Sequence, residues 1–281
     1  MTDFREKFNL LLDECSTISL RGDVSYAEVW LNTFFHDKWK LRTKQPLSRG
    51  SHQDFVVIDG KSDSPEEIRE LIPSMSQYPS GIPLKIYYIK NFHLLHRNAW
   101  SAFLKVFEEP FPHVRFLVST DRELPGTIES RSITIQLPVP SREEIAGILE
   151  SNGIDEYRFR SDLCGRSLSI AEGMKVDIVR RFQKDWTSYF GGGAIKSRHL
   201  VGWLEDLRSE PETERACFNA LAQVVFKKGN REDPLSKELV GILADWAFEG
   251  KEFLEPQRIR VSLRRCLGVT YTREKRRDAN P

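Results

Sequence analysis

Lys90 and Asn91 follow directly on the apolar run Ile86 to Ile89, within the stretch LKIYYIKNFHLL (84–95). In α/β proteins that hydrolyse phosphate esters, the end of such a strand carries the carboxylates that hold magnesium and aim a water. A cation and an amide stand there instead, so this strand end lacks the groups that chemistry needs. Cys15, Cys164, Cys217 and Cys266 are widely spaced and form no C-x-x-C pair. Neither a zinc site nor a disulfide framework is expected from them, and reduced, mostly buried thiols are the simpler expectation. No resident cofactor or metal is expected.

The elements that must position these residues are legible along the first half of the chain. Five short runs read as strands: 17–20, 54–59, 85–89, 114–119 and 133–137. Several are continuously apolar rather than alternating, as in a parallel sheet covered on both faces. Ser64, Pro65 and the acids Glu66 and Glu67 announce a helix start. The segment from Asn98 to Glu109 places Ala99, Trp100, Phe103, Val106 and Phe107 on one face, and Pro110 closes it. Strands alternating with helices imply a doubly wound α/β domain.

After Pro138 and Pro140 the strand signal stops. Ser141 with Glu144 three residues on opens a helix that Gly153 terminates. Beyond FGGGA (190–194), amphipathic runs near 197–208, 212–228, 235–249 and 256–267 predict a helical bundle. Trp186, Trp203 and Trp246 read as core residues of these helices. At 281 residues the chain has room for two or three domains. Its net charge of +1 makes no bulk claim on nucleic acid, although Arg258 to Arg277 holds eight Lys or Arg against one acid. No apolar run is long enough to span a membrane, and the polar start MTDFREKF lacks the form of a signal peptide, so a cytoplasmic protein is expected.

The segment from Ile86 to Ile145 resembles the small subunits of AAA+ sliding-clamp loaders, most of all the delta-prime type of the DNA polymerase III clamp loader. The family's helix N-A-x-x-x-L-L-K-x-L-E-E-P-P is matched from Asn98 to Pro112, its sensor threonine by Thr120, and its S-R-C turn by Ser130, Arg131 and Ser132. The resemblance implies a degenerate AAA+ α/β domain with a five-stranded parallel sheet over residues 1–139. It also implies a small helical lid domain over 140–182 and an all-α collar over 183–281.

The departures bear on activity. ATP-binding members of the family carry G-x-x-x-x-G-K-[ST] after the first strand, whose amides and lysine cradle phosphates. Here RGDVSYAEVW (21–30) keeps only Gly22, with Tyr26 in the way and Asp23 and Glu28 opposing a triphosphate. Lys90 and Asn91 replace the Asp-Glu pair of the magnesium-binding strand end. Two parts of one site are altered, so a module that neither binds nor hydrolyses ATP is expected. The four-cysteine zinc module that many bacterial members carry before the second strand is also missing, which fits a divergent bacterial or phage-encoded version.

What the resemblance leaves for such a subunit is work in trans. Arg131, with Ser130 beside it in the S-R-C turn, corresponds to the arginine that reaches a neighbour's γ-phosphate. The implied partners are ATP-hydrolysing clamp-loader subunits, in a pentamer, together with the sliding clamp and primer-template DNA. Ser64, Arg69 and Arg97 sit at or near helix starts and are tentative DNA contacts. Two alternatives stay open: an ATPase with an unorthodox phosphate site using Lys90 as its cation, and an AAA+-derived regulatory or structural protein.

Overall fold

Strands that are apolar at every position must be covered on both faces, and the computed structural model shows how this chain does it. It describes residues 2–39, 52–192, 202–203, 206–228, 241 and 261. These fall in two units, 1–140 and 141–281. The five expected strands are present within a residue or two of the expected ends: β1 (Thr17–Arg21), β2 (Phe55–Asp59), β3 (Lys85–Lys90), β4 (Val114–Thr120) and β5 (Ile133–Gln136). All pairings are parallel, in the order β2-β3-β4-β1-β5. This is a doubly wound, five-stranded parallel α/β sheet.

Alternation along each strand divides the core in two. Ile18, Leu20, Val57, Ile86, Tyr88, Leu117 and Ile135 face α1 (Thr2–Glu14) and α2 (Val24–Trp39), where Phe8, Leu12, Leu31, Phe34 and Phe35 receive them. Ile58, Tyr87, Ile89, Val114, Phe116 and Val118 face the other layer. That layer holds α3 (Pro65–Leu71), α4 (Arg97–Glu108) and α5 (Gly126–Glu129), with Ile68, Phe103, Phe107 and Ile128 buried against the sheet. Phe116 is fully buried between Phe103 and Phe107. Arg115 fastens α1 to the sheet, donating from Nε to the Leu12 carbonyl at 2.8 Å and from Nη2 to that of Asp13 at 3.0 Å.

The connections give the sheet its crevice. After β1 the chain crosses to β2 at one edge, whereas after β4 it crosses to β5 at the other, so the direction reverses between the neighbouring strands β1 and β4. Ligands of open α/β sheets bind outside the carboxyl ends of strands at such a point. Gly22 and Thr120 lie there, joined by a 3.0 Å hydrogen bond from the Gly22 amide to the Thr120 carbonyl. Gly22 has φ +147°, and a side chain at this position would press on Leu137 at 3.1 Å. The positive φ favours glycine here, and any side chain would also need Leu137 to give way by a few tenths of an ångström.

In the second unit α6 (Arg142–Ser151) begins with the expected capping box of Ser141 and Glu144. It is followed by α7 (Tyr157–Leu163), α8 (Leu168–Gly173), α9 (Val176–Phe190) and α10 (Pro211–Lys228). Val179, Phe182 and Trp186 of α9 are fully buried, and α10 packs along this helix. Trp203 lies against Phe182 and donates to Asp185 Oδ2 at 3.0 Å. The 182/183 division expected between lid and collar falls inside the continuous α9. Among the described cysteines, Cys15, Cys164 and Cys217 are free. Trp246, Cys266, the basic stretch from Arg258 to Arg277 and the runs at 235–249 and 256–267 lie outside the described residues, apart from two isolated helical positions. No described helix is long and apolar enough to cross a membrane.

Replacing Phe116 by alanine empties a site packed by the rings of Tyr87, Phe103 and Phe107 and should destabilise the chain by about 3–5 kcal/mol in chemical denaturation. A loss under about 1 kcal/mol would show that Phe116 is not a keystone of that layer.

Candidate functional site

The crevice at the carboxyl ends of β1, β2, β3 and β4 is lined by charged groups that satisfy one another. Asp59 and Lys90 are paired in register at the ends of β2 and β3, and both point to the α2 side of the sheet. Glu28, one turn into α2, comes down on them. Lys90 Nζ lies 3.1 Å from Glu28 Oε2 and 3.5 Å from Asp59 Oδ2. Asp59 Oδ1 accepts from the Asn91 amide at 2.9 Å and from the backbone N–H of Lys61 at 3.0 Å. The side chains of Lys90, Glu28 and Asp59 retain only 22, 17 and 24% of their exposure, so this is a partly desolvated ion triad rather than a surface pair.

Burial by itself would lower the Lys90 pKa, but the Glu28 and Asp59 carboxylates outweigh it and hold the ammonium above the ordinary lysine value. The same carboxylates leave a mark on the fully buried Tyr88. Its pKa is raised, first by burial, against the favourable bond to Ser119, and further by the negative charges of Glu28, Asp59 and Asp23. Three carboxylates therefore converge on the crevice against one ammonium.

At the start of α2 the helix amides offer an anion site, as the N-terminus of any helix does. Asp23 uses it: its Oδ1 accepts from the backbone N–H of Tyr26 at 2.8 Å, while Tyr26 itself is buried. A carboxylate of the chain thus caps the helix where a phosphate-binding loop would present amides to a ligand. Across the crevice Gly60 leaves room for the backbone of Asn91, a left-handed residue with φ +54°; a methyl group on Gly60 would lie 2.2 Å from the Asn91 carbonyl oxygen.

Thr120 ends β4 with its hydroxyl engaged locally, accepting from the Arg122 N–H at 3.1 Å and lying 3.0 Å from the Arg122 carbonyl. His93 Nδ1 lies 3.4 Å from that hydroxyl and 3.2 Å from Asp121 Oδ1. Burial lowers the His93 pKa, Asp121 opposes this, and the cationic Arg122 and Lys61 add to it.

Arg131 lies just past α5, on the α4 and α5 side of the sheet. Its Nε donates to Glu108 Oε1 at 3.1 Å, Nη2 bonds the same oxygen, and Nη1 donates to the Thr127 carbonyl at 2.6 Å and to Ser130 Oγ at 3.3 Å. Neither Glu129 nor Asp121, its neighbours along the chain, pairs with it; Glu108, the last residue of α4, does. Ser130 caps α5 with its backbone N–H donating to Gly126.

The residues named as tentative DNA contacts lie on α3 and at the start of α4, two helices that pack against each other. Ser64 caps α3 in a complete capping box: its Oγ accepts from the Glu67 N–H at 3.3 Å and donates to Glu67 Oε2 at 3.0 Å. A phosphate at that end has to displace the chain's own carboxylate. Arg69 is exposed and pairs with Glu66 at 3.6 Å. Arg97 opens α4, and its side chain lies outside the described residues. Among the described residues no group of three or more His, Cys, Asp or Glu is placed to hold a metal ion.

Sequence reasoning found Lys90, Asn91, Asp23, Glu28 and Arg131 but missed Asp59 and Glu108. The first was accessible as the last residue of a strand parallel to the one ending in Lys90. The second gave no signal, because its partner is 23 residues away on another element.

Comparison with known proteins supports the resemblance. Residues 38–141 match the family model of DNA polymerase III, delta subunit. The chain is 35% identical over 210 residues to the DNA polymerase III subunit tau of Escherichia coli, covering 70% of this chain and 32% of that protein. It is 36% identical over 109 residues to subunit gamma of Buchnera aphidicola from Schizaphis graminum, covering 38% of this chain and 30% of that protein. The chain spans about a third of the length of the curated relatives it matches. Among solved structures, a gamma subunit-related protein of Thermotoga maritima overlaps 94% of this chain and 97% of its own, at 15% identity and a TM-score of 0.49.

Lys90→Met leaves two partly desolvated carboxylates without their cation. It should cost about 1–2 kcal/mol, between an exposed and a fully buried pair. Because the Lys90 pKa is raised on folding, its stabilising contribution is complete below the ordinary lysine value and is lost as pH rises through the folded one. Denaturation of the two proteins should therefore differ by a constant amount at neutral and mildly alkaline pH, with the gap narrowing only above about pH 10. A gap that closes near pH 7 would remove Lys90 from this role.

Proposed function

We propose that this chain, a relative of the AAA+ clamp-loader subunits of DNA polymerase III, is a subunit that is silent towards ATP in its own crevice and supplies Arg131 to the site of a neighbour. The observation that carries the first half is the Lys90 triad. The ammonium is engaged by Glu28 and Asp59, and the α2 terminus is capped by Asp23, so both places that would hold a magnesium triphosphate are filled by the chain's own charges. An entering triphosphate meets three carboxylates and no unengaged lysine at the end of β3. This weighs against an ATPase that uses Lys90 as its phosphate cation.

The second half draws on Arg131 and on the match to the S-R-C turn. An arginine placed against a γ-phosphate across a subunit interface stabilises charge that develops during transfer, and is worth on the order of 10³-fold or more in rate. In this reading the partners are ATP-hydrolysing homologues in a hetero-oligomer, taken to be a pentamer. The assembly acts on a sliding clamp and primed DNA in the cytoplasm. Helices α6 to α10 belong to the lid and collar portions of such a subunit, the latter being the region through which subunits assemble.

Two measurements test the proposal. The full chain alone, scanned thermally with and without 1 mM magnesium ATP, should show no shift. A site with a hundredfold lower dissociation constant would add about 2.7 kcal/mol and be plainly visible. In the complex purified from the host through a tagged copy, Arg131→Ala should leave subunit composition intact and lower ATP turnover at least tenfold, short of the ~10³ limit if other sites continue to fire. Unchanged turnover would defeat the role assigned to Arg131, and a thermal shift with ATP would defeat the silent crevice.

A further inference from the structure

The guanidinium of Arg131 has five N–H donors. Four have acceptors within its own domain: one from Nε and one from Nη2 on Glu108, and two from Nη1 on Thr127 and Ser130. An arginine held in this way has a single N–H, on Nη2, left over, and no edge with both donors open for a second anion. The two sets of acceptors differ in kind, however. The Thr127 carbonyl is backbone of α5 and fixed by the fold. Glu108 ends α4 on a flexible side chain that is 50% exposed, and it offers a single oxygen to both Nε and Nη2. An exposed pair of this kind is weak and screened by salt.

We propose that Glu108 is a placeholder for phosphate. Its Oε1 occupies the Nε/Nη2 edge that a phosphoryl oxygen of a neighbour's nucleotide takes over, and the Glu108 side chain swings into solvent when that happens. Nη1 stays on the Thr127 carbonyl throughout, so the guanidinium plane keeps its orientation during the exchange. The exchange runs towards phosphate because phosphate carries more charge than a carboxylate and meets the arginine in an interface that excludes water. Glu108 is thus a positioning residue that keeps Arg131 ordered in the unpartnered subunit and competes with the nucleotide in the assembled one. No covalent bond is made or broken; one charge-assisted hydrogen-bonded pair replaces another. The inference rests on the reading of Arg131 as acting in trans.

The test uses the complex purified with the tagged full chain, carrying wild type, Glu108→Gln, Arg131→Ala or both changes, with steady-state hydrolysis followed against ATP concentration at low and high salt. Glu108→Gln should raise kcat/KM by about two- to fivefold at low salt, the size expected for removing one competing exposed charge. The gain should shrink at high salt and be absent when Arg131 is already alanine. If Arg131→Ala lowers turnover but Glu108→Gln leaves kcat/KM unchanged or reduces it, the placeholder is wrong and the arginine reading stands. If Arg131→Ala has no effect, both fall. A gain from Glu108→Gln that persists in the double variant would also overturn the proposal, since Glu108 would then act by another route.

Discussion

One ammonium organises the crevice of this domain. Lys90 lies between a helix and two strand ends, and without it Glu28 and Asp59 would face each other with little water to screen them. Here the counter-charge is part of the chain. Asn91 completes the arrangement by donating to the second Asp59 oxygen, and Gly60 gives the Asn91 backbone the room its left-handed conformation needs. The first helix after β1, the edge strand β2 and its neighbour β3 are thereby tied together through one shared ammonium.

Much of this could be read from the sequence because it depends on local signals. Continuously apolar runs located β2, β3 and β4, since residues buried on both faces cannot alternate, and shorter β-like runs located β1 and β5. Ser64 with Glu67 and Ser141 with Glu144 marked two helix starts, and both are complete capping boxes. The helices α1 and α2 gave no comparable stripe. Phe4, Phe8, Trp30, Phe34, Phe35 and Trp39 form a run of edge-on and stacked rings, which spreads apolar character around the helices. Such a cluster is specified by the shapes of rings meeting across two elements, and a one-dimensional periodicity does not register it.

The candidate site was legible to the same limit. Lys90 and Asn91 stood out because their types are wrong for a strand end that holds magnesium. The identity of the groups they bind required register: Asp59 becomes their partner only once β2 and β3 lie side by side in parallel. Arg131 was found through motif spacing, yet its partner was not, because Glu108 approaches from the far end of α4. Ser64 is the converse case. Its type and position suit a phosphate contact, but the residue three places on that makes it a good cap also supplies a carboxylate for the same donors.

The run of α9 through residues 176 to 190 has a mechanical consequence. A helix of 15 residues is about 22 Å long and resists bending, since each turn is closed by its own hydrogen bonds. Val179, Phe182 and Trp186 key one side of it into the packing along its length. A displacement imposed at Val176 therefore arrives at Phe190 as motion of a stiff rod, with no joint at residue 182 to absorb it. The segments before and after that point turn together, as the two arms of a lever do.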